Sequence, residues 1–176
     1  GWNDPDGEAE LVDVEWQEFD GSDWNTIGSS TTTLSSGLTT RDKKYKVLCT
    51  PLNTSSQGSV VESTEVTVQN APPELSSCSI SPGTPLTTDD LTAIPSGWSD
   101  ADGDSAGYEY TWFINGLNQP SSSDPGLLST AFSKDDQIQV DCTPDDGFDL
   151  GAAVAATTTV TIGNTPPEMP SVTISP

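Results

Sequence analysis

The sequence has no histidine, one methionine and few basic residues. Five Lys and Arg face 27 Asp and Glu, which gives a formal charge of −22. Proteins that bind nucleic acid or anionic lipid need basic surfaces, so both kinds of partner are disfavoured. The longest apolar runs, such as residues 152–156, are far shorter than the roughly 20 residues that span a bilayer, so we expect no membrane insertion in this segment.

The lack of histidine also argues against catalysis. A serine or cysteine nucleophile would have no imidazole base, and three of the four lysines cluster in residues 41–46. Paired carboxylates could serve glycoside hydrolysis, but the acidic residues fall in predicted loops with no evident cleft. We therefore expect that the protein is not an enzyme.

Many short runs alternate apolar and polar residues, among them residues 12–16, 108–112 and 138–142. Alternation with a period of two is typical of half-buried strands, and the intervening Ser, Thr, Gly, Pro and Asp favour turns. No stretch shows a helical stripe. The pattern predicts an all-β sandwich with a strand about every ten residues.

The sequence also repeats itself. Residues 2–7 match 98–103, residues 45–51 match 138–144, and residues 66–74 match 160–168, at offsets of 96, 93 and 94. A repeat of about this length is one small sandwich domain. The prediction is repeat 1 at 1–70 without its two opening strands, a complete repeat 2 at 71–164, and a linker with the first strand of repeat 3 at 165–176. The array is thus expected to be interrupted at both ends, as part of a longer chain or with another copy supplying strands.

Several motifs carry a resemblance to a known family: Asn-x-Pro-Pro, S-I-S-P, W-x-D-x-D-G, Y-x-Y-x-W and V-x-C-T-P-D-D-G. Together they resemble the tandem immunoglobulin-like repeats, polycystic-kidney-disease-type or cadherin-like, of giant secreted bacterial surface proteins. The resemblance implies an extracellular or cell-surface location, neighbouring repeats as partners, and calcium at or near the domain junctions.

An immunoglobulin-type strand order, as the resemblance implies, brings three acidic or polar segments to one pole of repeat 2. They are residues 70–74, 100–104 and 145–149. Calcium takes roughly six to eight oxygen ligands in irregular cages, which suits such a cluster. The alternative is that these residues only form turns and solvate the surface. In repeat 1 the last turn, residues 52–58, has no acidic residue, so a calcium site is expected in repeat 2 alone. The candidate ligands are Asn70, Asp100, Asp102, Asp104, Asp145 and Asp146.

The three cysteines give a further expectation. Cys49 and Cys142 occupy matching strands of the two repeats, and Cys78 lies on the opening strand of repeat 2. Within that repeat a Cys78–Cys142 disulfide is the natural pair, and Cys49 then awaits a partner on its own missing strand. A Cys49–Cys78 bridge and three reduced thiols are the alternatives. A disulfide would imply an oxidising compartment.

One modification site is also predicted. Asn53-Thr54-Ser55 is an acceptor pattern for N-glycosylation, and it falls in an expected exposed loop.

The function expected from these features is structural. The chain would be an extracellular repeat segment of a surface stalk, fibre or filament, stiffened by Pro-Pro linkers and junctional calcium, with other copies as further partners in a fibre. The alternative is an adhesin repeat that binds a host, a neighbouring cell or a polysaccharide. A spacer attached to an enzyme is a third reading.

Overall fold

The computed structural model describes Gly7 and residues 11–169. The chain divides into two compact units, Gly1–Asn70 and Ala71–Pro176, which we call unit 1 and unit 2. The segment 171–174, predicted as the first strand of a third repeat, lies outside the described residues. None of the helices in the described ranges has the length and hydrophobicity to cross a bilayer.

Unit 1 is built on one antiparallel sheet of five strands, ordered β2-β1-β3-β4, with β5 also paired to β3. A single 3-10 turn, Ser36–Leu38, lies between β2 and β3. Within these strands Val14, Tyr45 and Thr50 are buried. The bounds of the strands are β1 (Leu11–Phe19), β2 (Trp24–Ser29), β3 (Lys44–Leu52), β4 (Val61–Glu62) and β5 (Val66–Thr67).

Unit 2 has two sheets, ordered β10-β7-β6 and β12-β11-β8-β9, with β13 also paired to β11. A 3-10 turn, Ser129–Ala131, precedes β11. The predicted all-β sandwich fold is therefore confirmed. The strands are β6 (Glu74–Ser81), β7 (Leu91–Ser99), β8 (Gly107–Ile114), β9 (Leu117–Asn118), β10 (Gly126–Leu127), β11 (Gln137–Asp145), β12 (Val154–Ala155) and β13 (Val160–Thr161).

The core of unit 2 lies between its two sheets. Leu91 of β7 and Ile138 and Val140 of β11 belong to one apolar cluster, and all three are fully buried. Trp112 of β8 belongs to the same cluster, which is the packing expected for a tryptophan in the middle of an alternating strand. Each fully buried aliphatic side chain stabilises the fold by roughly 1.5–3 kcal/mol.

A disulfide crosses this core. Cys78 of β6 is joined to Cys142 of β11, with 5.9 Å between their Cα atoms, so the bond links the two sheets. This is the pair that the sequence favours, whereas Cys49 is a half-buried free thiol.

The two units share one pattern of cross-strand pairing. In unit 1, β1 pairs with β3 so that Val14 lies opposite Cys49. In unit 2, β8 pairs with β11 so that Tyr110 lies opposite Cys142. The sequence repeat is thus also a repeat of register. Further matching pairs are Trp16–Val47 with Trp112–Val140, Cys49–Val61 with Cys142–Val154, and Tyr45–Val66 with Ile138–Val160.

The disulfide predicts a selective loss of stability. It joins residues 64 positions apart, a separation for which the chain-entropy model gives about 4 kcal/mol. The double variant Cys78→Ala/Cys142→Ala should therefore lower the free energy of unfolding of unit 2 by about that amount. Denaturant unfolding combined with amide exchange of β11 peptides measures it. Cys49→Ala is the control and should leave the exchange of β11 unchanged; equal effects of the two variants would contradict the assignment.

One carboxylate ties the turn before β11 to the β8–β9 turn. Asn115 Nδ2 donates to Asp136 Oδ1 at 2.8 Å, and the Ser133 N–H donates to Oδ2 at 2.7 Å. These bonds, that of Asn115 first, lower the pKa of Asp136 below its usual 3.8. They favour the ionised form, because each donates a hydrogen to a carboxylate oxygen.

This lowered pKa gives a pH dependence with a defined sign. Because the folded pKa of Asp136 lies below the unfolded value, its contribution to stability is present above the unfolded pKa and is lost as pH falls through the folded pKa. Asp136→Asn should therefore lower the melting temperature at pH 7, and its difference from the parent should shrink on acidification. The control Asp23→Asn removes the same charge from an exposed position of unit 1. A difference for Asp136→Asn that stays constant down to pH 2 would refute the linkage.

Candidate metal centre

The first half of the centre is the turn between β7 and β8. Asp100 Oδ1 accepts the backbone N–H groups of Asp102 and Asp104, both at 2.9 Å. Gly103 between them has φ +81°, a left-handed conformation that suits glycine. The turn therefore occupies one carboxylate oxygen of Asp100 and leaves the other, Oδ2, for a different partner.

The second half is the turn that follows β11. Asp146 Oδ1 accepts the backbone N–H groups of Phe148 and Asp149, both at 2.7 Å. The Asp146 side chain is buried, with its residue only 5% exposed. Burying a carboxylate costs free energy unless it is paired or hydrogen-bonded, and these two hydrogen bonds offset part of that cost for Asp146.

Strand register brings these two turns together. β8 and β11 are antiparallel neighbours, and Gly107 at the start of β8 lies opposite Asp145 at the end of β11. The loop that enters β8 and the loop that leaves β11 consequently lie at the same end of one sheet. Asp104 approaches Asp146 for this reason, although 42 positions separate them in the sequence.

Three carboxylates meet at this end. Asp100, Asp104 and Asp146 each offer an oxygen, and these oxygens all lie within 4.8 Å of one another. At that separation two like charges repel by roughly 3 kcal/mol for an effective dielectric constant of about 20. Asp100 Oδ2 is buried and has no hydrogen-bond partner in the described part of the chain. A buried, unpaired carboxylate oxygen is costly, and a cation at this point would remove both penalties.

The other predicted ligands have different tasks. Asp102 Oδ2 accepts the backbone N–H of Ala71 at 2.8 Å, and Asp145 Oδ1 accepts that of Gly147 at 2.8 Å. Asn70 belongs to unit 1, where its Oδ1 accepts a hydrogen bond from Arg41 Nη1 at 2.6 Å. Of the six predicted ligands, the structure brings together Asp100, Asp104 and Asp146.

A groove that the sequence did not reveal borders the cluster. Its volume is about 530 Å³, and Asp100 forms part of its wall. The signal available in the sequence was the Pro-Pro linker, since Pro72 lines the groove. The lining residues are Ala71, Pro72, Glu74, Ser99, Asp100 and Ala101.

The donor set fits calcium. All three side chains supply carboxylate oxygen, the ligand type of hard cations. Two oxygens at about 2.3–2.6 Å from one calcium ion are at most about 5.2 Å apart, so a spread within 4.8 Å is compatible with a shared ion. The buried Asp100 Oδ2 provides a ligand atom that no other described group uses.

Unit 1 has an uncharged counterpart of the turn that follows β11. Asn53 follows Cys49 by the same four positions that separate Asp146 from Cys142. Its Oδ1 accepts the N–H groups of Ser55 and Ser56 at 2.9 and 2.7 Å, which is the bonding pattern of Asp146. An amide thus makes the same turn, and the turn alone does not require a carboxylate. N-glycosylation of Asn53 stays a prediction.

The comparisons with known proteins give distant likenesses. No family model and no curated protein matches the chain. The crystal structure of chicken CNTN1 FN1-FN3 domains aligns at a TM-score of 0.45 and 14% identity, over 92% of this chain and 64% of that one. The fibronectin(III)-like modules of Clostridium thermocellum CbhA align at a TM-score of 0.35 and 15% identity, over 91% and 83%. The chain therefore spans just under two thirds of the CNTN1 structure.

Gly151 predicts a packing constraint behind the second turn. A Cβ at this position would overlap the Pro73 carbonyl oxygen and lie 2.8 Å from Pro144 Cγ. Gly151→Ala should therefore destabilise unit 2 by about 1–3 kcal/mol, because backbone must move to admit the methyl group. Gly83→Ala is the matched control, since nothing lies within 4 Å of its added Cβ. Thermal unfolding compares them, and equal melting temperatures would contradict the close approach.

Proposed function

We propose that the chain is a structural segment of an extracellular repeat array, a stalk, fibre or filament, whose unit 2 binds one calcium ion through Asp100, Asp104 and Asp146. The observation that carries the calcium part is the buried Asp100 Oδ2, which has no hydrogen-bond partner among the described residues and belongs to a carboxylate that lies close to those of Asp104 and Asp146. The structural part is supported by two units with the same strand register.

An extracellular setting is supported by the covalent chemistry. Disulfides form and persist in oxidising compartments, and Cys78–Cys142 links the two sheets of unit 2. A disulfide between the sheets therefore suits a protein exposed outside the cell.

Calcium would also act on the linker that opens unit 2. Asp102 lies in the same turn as Asp100 and Asp104, and its carboxylate holds the Ala71 N–H. Pro72 and Pro73 follow, and Pro73 is among the fully buried side chains. Proline restricts backbone rotation, so the segment is already stiff. An ion that fixes the turn would fix the start of the linker with it.

The calcium site is tested by a charge-removing variant that keeps the turn. Asp146→Asn should behave as Asn53 does and keep both backbone hydrogen bonds, so unit 2 should still fold. Calorimetry should show one ion bound to the parent and at least a tenfold weaker affinity for the variant. At a calcium concentration of 100 times Kd, binding should stabilise the parent by about 2.7 kcal/mol.

The effect of Asp146→Asn on the melting temperature should change sign when calcium is removed. Without the ion, Asp146→Asn relieves repulsion in the cluster, so its melting temperature should equal or exceed that of the parent. With calcium the parent should be the more stable. Asp124→Asn, outside the cluster, should follow the parent in both conditions. The proposal is falsified if the parent shows neither heat of binding nor a rise in melting temperature with calcium.

The effect of calcium on the linker can be measured separately by amide exchange. Amide exchange of the backbone N–H of Ala71 should slow when calcium is added, because the Asp102 carboxylate that accepts this hydrogen becomes fixed. Asp102→Ala removes the acceptor and should abolish the slowing while calcium still binds. An unchanged response in Asp102→Ala would show that the linker is not coupled to the site.

A further inference from the structure

The sheet of unit 1 has an apolar face. In unit 2 the equivalent face is covered by a second sheet. In unit 2, Cys78 and Ile80 of β6 and Leu91 and Ala93 of β7 pack onto the equivalent face. In unit 1 the described residues form one sheet only. The corresponding apolar side chains of unit 1 are Val14, Trp16, Val47, Cys49, Val61 and Val66, which the shared register places on one face.

The exposure of this face differs between the units. Val66 is 61% exposed, whereas its counterpart Val160 is 4% exposed. Cys49 is half-buried, whereas Cys142 is fully buried in its disulfide. The middle of the unit 1 face is better protected, since Val14 is buried. The uncovered part lies along the β4–β5 edge and around the Cys49 thiol.

In unit 2, the region equivalent to the uncovered part of unit 1 is occupied by the segment that contains Cys78 and Leu86. Beside β12 and β13, Cys78 forms a parallel bridge with Ala156, and Leu86 forms one with Gly163. The Cys78 carbonyl accepts the Thr157 N–H at 3.2 Å. β6, the strand that contains Cys78, therefore also forms a backbone hydrogen bond along this edge. Its contact with the sheet combines strand addition with apolar packing.

We propose that the open face of unit 1 receives a two-stranded antiparallel hairpin of the β6–β7 kind, supplied by the same polypeptide on the N-terminal side of β1, and that a cysteine on its first strand forms a disulfide with Cys49. The position follows from the repeat: in unit 2 the covering hairpin lies directly before β8, and β1 is the strand equivalent to β8. The chemistry follows from Cys142, whose register Cys49 shares. Bond formation joins two thiols and releases two protons and two electrons to a disulfide oxidant of the secretory compartment.

The first test uses the native polypeptide. It is digested without reduction, and the peptide that contains Cys49 is identified by mass spectrometry. The proposal expects Cys49 to be linked to a peptide from outside residues 1–176, with alternating apolar residues around its cysteine. A free Cys49 thiol overturns the proposal. A link between Cys49 residues of two copies also overturns it, in favour of an interface between chains.

A second test supplies the hairpin directly. Residues 71–96 are added ahead of residue 1 in the full chain, so that unit 1 gains a copy of β6 and most of β7. Under oxidising conditions the added cysteine should pair with Cys49, and the reaction of Cys49 with a thiol reagent should slow at least tenfold. A matched extension with serine in place of the added cysteine should still slow the exchange of β3 amides without forming the bond. An extension that alters neither thiol reactivity nor β3 exchange would contradict the proposal.

Discussion

The antiparallel pairing of β8 with β11 is the constraint on which the rest of unit 2 depends. It places Trp112 and Val140 side by side in the core, and it sets Cys142 where Cys78 of the other sheet can reach it. The same register brings the turn before β8 next to the turn after β11. Core, disulfide and acidic cluster are therefore consequences of one strand alignment, and unit 1 uses that alignment again between β1 and β3.

The comparison of the two units separates what the fold needs from what a ligand needs. Asn53 and Asp146 make the same turn with the same backbone partners, so the charge of Asp146 has no role in forming that turn. A buried charge that the turn does not require carries a cost, and this cost is one ground for the proposed calcium site. The turn of unit 1 is the natural reference, because it has an amide in place of the carboxylate and the same backbone hydrogen bonds.

Much of the fold is predictable from the sequence, because alternation and repetition reflect the pleat and the register. The strand positions and the Cys78–Cys142 pair follow from these patterns. The composition of the acidic cluster is less predictable. Asp102 and Asp145 look like ligands in sequence, yet the carboxylate oxygens that come together among the described residues belong to Asp100, Asp104 and Asp146. Which oxygen a turn consumes depends on local hydrogen-bond geometry, so the unpaired Asp100 Oδ2 has no signature in the sequence.

Three carboxylates at one end of unit 2 are proposed to share a calcium ion. A crystal structure grown with calcium, with the ion located by its anomalous scattering, is the decisive experiment. We expect one ion at about 2.3–2.6 Å from oxygens of Asp100, Asp104 and Asp146, with Asp100 Oδ2 among them. An ion bound only to exposed acids elsewhere, or no ion at this end of unit 2, would refute the proposed site.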